Sequence, residues 1–304
     1  MRIFTLVASE SDARCANLLL ASLRAFGGDA GGSSVRVFVP NGDGPRGVPR
    51  LDNKTLGALV KPPLSASVVS LHDESGPAGF PFERKVEACA RAERESLDDG
   101  EEMVWLAPSC LVVRTPGLLK LESPLRAALR VVHISNVGSR AEDSLDDYWS
   151  TIYDAVGLAE APFTVESLVD DVRLRPYFNT HLFSIDPRLG MMAEWRDVFV
   201  ELAGDRTFQE TACSDVTRKI FLHQAVLCAI VARTLRREEI RELPPEYSYP
   251  LHFQADVPRP IRAERLEDLV CPVYEGNFEY PETLSGLAVG RPLRKWFSDW
   301  SALN

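Results

Sequence analysis

Histidine is scarce in these 304 residues, with five in all, and no two of them form an H-E-x-x-H pair, so a zincin-type metal centre is excluded. Cysteine is sparse too. Cys15, Cys89, Cys110, Cys213, Cys228 and Cys271 never form a C-x-x-C, which removes zinc ribbons and thioredoxin-like redox pairs and leaves reduced core thiols as the expectation. No apolar run approaches the ~20 residues of a membrane-spanning helix. The N-terminal MRIFTLVASE is too short in its apolar part for a signal peptide, so a cytoplasmic location and no integral membrane segment are expected. Positive charge is also in deficit. The balance of 34 Lys and Arg against 44 Asp and Glu gives a net charge of −10, which leaves no broad field for nucleic acid or anionic lipid. A small anionic ligand in one local basic cleft remains open. Glycine-rich phosphate loops, G-x-G-x-x-G, Walker A and G-x-S-x-G are all missing, so no local motif announces a mechanism.

What is present is a rhythm of short apolar runs and amphipathic helices. IFTLVA at 3–8 reads as a strand covered on both faces, followed by a helix at about 11–26 that Ser9 or Ser11 caps and Gly27-Gly28 ends. VRVFV at 35–39 completes a β-α-β start. The Pro/Gly-rich stretches 40–50 and 72–81 read as loops around a strand at 67–71. A helix at about 82–97 leads to the strand MVWL at 103–106, and LRVVHIS at 129–135 is another strand. Leu145, Tyr148, Trp149, Ile152, Tyr153 and Val156 share one helical face. Further helices are expected around 192–202 and 217–235, with extended pieces at 182–186, 240–244 and 269–274. The alternation predicts an α/β fold with a mostly parallel, mixed sheet and helices on both faces, a three-layer sandwich in one domain over 1–304. Ligands in such sheets bind beyond the carboxyl ends of the strands, here near Ala8 to Glu10, Ala107 to Cys110 and Ser135 to Val137.

The ordered segments MRIFTLVAS, PFERKVEACARAE, EEMVWLAPSCLVVRTP, RPYFNTHLFSID, FLHQAVLCAIV, LPPEYSYPL and VCPVYEG together resemble GT-A glycosyltransferases of the nucleotide-diphospho-sugar transferase superfamily, glycogenin-like and lipopolysaccharide-transferase-like members in particular. The resemblance implies a GT-A-like fold, with a nucleotide-binding half at about 1–115 and an acceptor half at about 116–304. It implies a nucleotide-sugar donor, a UDP-sugar first, and an acceptor that the sequence does not identify. It further implies hexosyl transfer if the chain is active, and a catalytically inactive nucleotide-sugar-binding homologue if it is not.

The family holds a divalent metal on the leaving diphosphate with a D-x-D motif and a C-terminal His. Here the equivalent stretch reads Trp105-Leu106-Ala107-Pro108-Ser109-Cys110, with both carboxylates missing, and Val273 stands in the place of the His. No metal site and no cofactor are therefore expected. The family's N-x-G becomes Asn179-Thr180-His181, and its acid-Gln pair becomes His223-Gln224. By this resemblance Asn179, His181 and Gln224 are the catalytic candidates. Ala8, Ser9, Lys85 and Ser109 are the donor-binding candidates, and Tyr247 and Tyr249 line an acceptor site. Lys85, Arg84, Arg173 or Arg175 and the two histidines His181 and His223 would replace the cation in a metal-independent transferase.

Each residue also has a structural reading. Ser109 can be a small strand-end residue, and the histidines can be satisfied polar groups at element edges. Lys85 can belong to a solvated helix face, and the tyrosines can simply pack. The pairs Asp98-Asp99, Asp146-Asp147 and Asp170-Asp171 read as caps or solvated acids, with a relocated metal site as the alternative. A non-catalytic interaction module on the same fold is the rival function, and it predicts a closed donor pocket. A nucleotidyltransferase is a third option, against which Ala8-Ser9-Glu10-Ser11 offers no phosphate loop.

Overall fold

The computed structural model describes residues 1–40, 53–71, 79–274 and 287–303. In chain order the strands are β1 Arg2–Leu6, β2 Ser34–Pro40, β3 Ser67–Leu71, β4 Met103–Leu106, β5 Ala127–Val131, β6 Val165–Glu166, β7 Arg173–Leu174, β8 Phe178–Ile185, β9 Ile240–Glu242, β10 Tyr247–Pro250 and β11 Cys271–Val273. The helices are α1 Glu10–Phe26, α2 Asn53–Val60, α3 Glu83–Asp99, α4 Asp147–Val156, α5 Met191–Gly204, α6 Arg206–Glu210, α7 Val216–Thr234 and α8 Arg291–Leu303. The central sheet has seven strands in the order β3-β2-β1-β4-β8-β5-β9. Six of them run parallel, and β8 opposes both its neighbours, pairing Leu106 with Leu182 on one side and Leu129 with Phe183 on the other.

The continuous apolar runs of the strands follow from burial on both faces. On one face Phe4, Trp105 and Phe183 join a core with α3, α4, α5 and α7. On the other Ile3, Val37, Val104 and Leu182 pack with α1 and α2. A third cluster, with Tyr249, Leu266 and Phe297, seats α8 against the end of the molecule. The expected mixed α/β sandwich is thus the observed architecture. No described helix is long and apolar enough to cross a membrane.

Local chemistry sets the ends. Ser9 Oγ accepts from Asp12 N to cap α1, and Asp146 Oδ1 accepts from Trp149 N to cap α4. Gly157 ends α4 at φ +70, where a side chain would be strained. Gly190 precedes α5 without a side-chain cap. That service comes from α3: Glu93 Oε1 accepts from Met192 N at 2.9 Å and Oε2 from Ala193 N at 3.0 Å.

Several boundaries differ from expectation. The strand read at 129–135 spans 127–131, so Val132, His133 and Ile134 form its exit loop. The piece read at 182–186 begins at Phe178, which brings Asn179, Thr180 and His181 into the sheet. Residues 41–50 and 72–78 of the expected loops lie outside the described residues. Helices α2 and α8 were not anticipated.

Candidate functional site

Because β8 runs against its neighbours, its first residues lie level with the carboxyl ends of β1, β4 and β5. A cleft of about 890 Å³ opens there. Ala8 and Asp12 line it from the β1–α1 junction, Phe82, Arg84 and Lys85 from the start of α3, and Ala107, Pro108 and Ser109 from the loop after β4. His133 and Asn136 follow β5, Asn179 to His181 come from β8, His223 and Gln224 from α7, and His252 from the segment after β10. All four histidines of the described residues meet in this cleft; His72 lies outside them.

Three side chains from three elements form a hydrogen-bonded series with one direction. Lys85 Nζ donates to Thr180 Oγ1 at 2.7 Å, and Thr180 Oγ1 lies 3.1 Å from His223 Nε2. His223 Nδ1 is 2.9 Å from Ile220 O, a group that can only accept, so Nδ1 carries the hydrogen and Nε2 is the acceptor. The ammonium can only donate, so the Thr180 hydroxyl hydrogen goes to His223. Burial lowers Lys85 to about 8. Burial, and next the Lys85 charge, hold His223 well below the usual imidazole range. At neutral pH this corner therefore carries one positive charge, on Lys85. The Phe82 ring covers His223 at 4.1 Å between centroids, and Lys85 Nζ is 5.7 Å from the Phe82 centroid.

Alternation along β8 sends its neighbours the other way. The Asn179 amide lies 2.9 Å from His133 Nε2, which is also 2.5 Å from Ser248 O. The rings of His133 and His181 are near parallel at 6.0 Å, and His252 stands 6.1 Å from His133. Burial first, then the charges of His181 and Arg130, push His133 well below its ordinary range. Beneath them Ala107 N donates to His181 O at 2.7 Å, which ties the loop after β4 to β8.

Of the residues singled out in the sequence, Ala8, Lys85, Ser109, Asn179, His181 and Gln224 converge on the cleft. Ser9 instead spends its hydroxyl on the α1 cap and is not in the lining. Tyr247 and Tyr249 are buried away from it: Leu118 N donates to Tyr247 Oη at 3.1 Å, and Tyr249 Oη donates to Gln254. Between them Ser248, at φ +51, turns its carbonyl to His133. Arg175 is engaged by Ser139 and Asp143 O, and Arg173 by Thr164, outside the cleft. Asp146 caps α4 and pairs with Arg218, and Asp170 accepts from Ser135 and Ser167. Thr180, His133 and His252 were missed. Thr180 sat at the variable position of N-x-G, and His133 was read as strand.

Ala107 brings a methyl and Ser109 a hydroxyl, while Val273 is buried in the apolar cluster under β1 and β4. Among the described residues no group of three or more His, Cys, Asp or Glu is disposed to hold a metal ion.

Residues 3–235 match the family model of the Rhodobacterales glycosyltransferase domain. The chain belongs to this family. As a glycosyltransferase-domain protein it has the GT-A-like fold: a crystal structure of the galactosyltransferase LgtC with donor and acceptor sugar analogues superposes with a TM-score of 0.50 at 10% identity, over 99% of this chain and 96% of that one. A structure of an active-site mutant of LgtC gives 0.48 at 10% identity over the same shares. No curated protein matches this glycosyltransferase-domain chain in sequence.

Proposed function

We propose that the cleft binds a nucleotide sugar, a UDP-sugar first, and transfers its glycosyl group to an acceptor without a metal held by a D-x-D motif. The observation that carries this reading is the buried ammonium of Lys85, fixed by Thr180 beside a bank of imidazoles at the carboxyl ends of the strands. Transfer breaks the bond from the sugar C1 to the phosphate oxygen, and the electron pair leaves with the diphosphate. A new bond forms from C1 to an acceptor hydroxyl, whose proton passes to the departing diphosphate. The charge growing on the leaving diphosphate needs a fixed cation, and Lys85 with Arg84 supplies it. Asn179, His181 and Gln224 bond the sugar hydroxyls in this reading, which their presence in the cleft lining supports. Ala8 and Ser109 are small, so the diphosphate can approach the backbone. Six free cysteines fit a reducing, cytoplasmic setting.

An interaction module would need no open donor pocket, and the open cleft of about 890 Å³ supports the transferase reading over it. The test is a thermal-shift titration against UDP-, GDP-, CMP- and dTDP-sugars, each with Mn²⁺ or EDTA. A saturable rise in Tm with one donor, equal in both conditions, is expected. A well-folded sample that responds to none of them overturns the reading.

A further inference from the structure

We propose that Thr180 and His223 are positioning residues: they fix the Lys85 ammonium in the cleft as the cation for a ligand's phosphate groups and keep it the sole charge of the trio. The proposal rests on the nucleotide-sugar reading of the cleft and says how its cation is held. A lysine has a long flexible stem and, left alone near a surface, extends its ammonium into water. Lys85 is only 9% exposed, and its ammonium is held by a hydroxyl from a different element. That hydroxyl is itself oriented, because its hydrogen is committed to His223 Nε2 and its lone pair faces Lys85. His223 is oriented in turn by Ile220 O at one end and by the Phe82 ring on its face. Each link therefore has a single donor sense.

Protonating His223 would break that sense. Nε2 would then donate to Thr180, the hydroxyl hydrogen would lose its acceptor, and two cations would share one buried corner. Lys85 bonds Thr180 on β8 and is coupled to Cys89 on its own helix, Cys110 after β4 and His223 on α7, and it shares the cleft lining with Asp12, Glu83, Arg84 and His181. Cys89 stays a neutral thiol, since burial pushes it far above the ordinary range.

A purely structural trio would change stability when cut and nothing else. The test compares Thr180→Val, which deletes the hydroxyl at constant shape, with Thr180→Ser, which restores it. In the ligand-free full-length protein, the NMR titration of the Lys85 side chain is assigned by its loss in Lys85→Arg. Its midpoint should fall in Thr180→Val and return in Thr180→Ser. Affinity for inorganic pyrophosphate, and for the nucleotide sugar that shifts Tm, is followed from pH 6 to 9. Thr180→Val should weaken it about tenfold, the loss expected for one charge-assisted contact, and move the alkaline limb to lower pH. Thr180→Ser should stay near wild type. An unchanged Lys85 midpoint with an unchanged pH profile in Thr180→Val overturns the proposal. A moved midpoint in a protein that binds neither probe overturns the donor-site reading, and with it the ligand named here. Thr180→Ala removes the same hydroxyl and serves if Thr180→Val does not fold.

Discussion

Phe82 lies nearly flat on His223, with 22° between the ring planes, although its own backbone is left-handed at φ +64 and ψ +9. A non-glycine residue there costs the fold roughly 1 kcal/mol, and a stacked aromatic pair returns a similar amount. The ring is nonetheless 46% exposed and forms part of the cleft wall.

Phe82→Gly separates these roles. The glycine relieves the backbone while the ring is lost, so Tm should move by only a few degrees. Affinity for the nucleotide sugar should drop about fivefold or more, in line with ~1 kcal/mol of stacking. Equal affinities by isothermal titration would show that the ring meets only solvent and His223.

Lys85 should weaken the fold that depends on it for binding. The unfolded lysine titrates at 10.5 and the folded one at about 8, so between those values the unfolded chain holds more protons and stability rises with pH. Below about 8 the buried charge costs the folded state at most about 3 kcal/mol. Lys85→Met is expected to raise Tm at pH 7 and abolish donor binding, with the Tm advantage shrinking to nothing by pH 10.5. A variant less stable than wild type at pH 7 would contradict this account.

Glu93 is the cap that α5 does not supply for itself. Removing it in Glu93→Ala takes the acceptor from the Met192 and Ala193 amides, and from Met191 N, which also acts on the carboxyl, and should cost about 1–3 kcal/mol in urea unfolding. Glu93→Gln keeps one acceptor oxygen and should lose less. Burial raises the Glu93 carboxyl above its usual range despite the three amides that pull it down. Stability should therefore fall, not rise, as pH climbs from the unfolded value through the folded one, and this slope should vanish in Glu93→Gln.

Ala107 and Ser109 already face the cleft, so the double substitution Ala107→Asp with Ser109→Asp places two carboxylates where a hard cation has oxygen ligands to bind. Donor binding by this variant should become responsive to Mn²⁺ and sensitive to EDTA. The wild-type protein should be indifferent to both in the same titration.

The sheet was legible because buried strands leave continuous apolar runs, as in IFTL, VRVFV and MVWL. Strand ends were less so wherever they meet the cleft. There the side chains answer to a ligand space and not to a core, so Asn179, Thr180 and His181 broke the apolar pattern and the start of β8 was read late. His133 suffered the opposite error, since the apolar VV before it extended the strand past its true end at Val131. Helix α8 did carry a signal: Leu293, Trp296, Phe297 and Trp300 fall at offsets 0, 3, 4 and 7 among charged residues. Tyr247 and Tyr249 were aromatic in a loop-like context, and only the left-handed Ser248 between them decides that a carbonyl and not a ring reaches toward the cleft.

The reversed strand β8 also sets an order of assembly. In a chain grown only as far as residue 131, β4 keeps an unpaired edge and β5 has neither neighbour, because β8 lies at 178–185 and β9 at 240–242. Lys85 by then has neither Thr180 nor His223 to bond. The cleft, lined by Ala8, Lys85 and Ser109 from the first part of the chain and by Asn179, His181 and Gln224 from the later part, comes into being only when that later part returns to thread the gap.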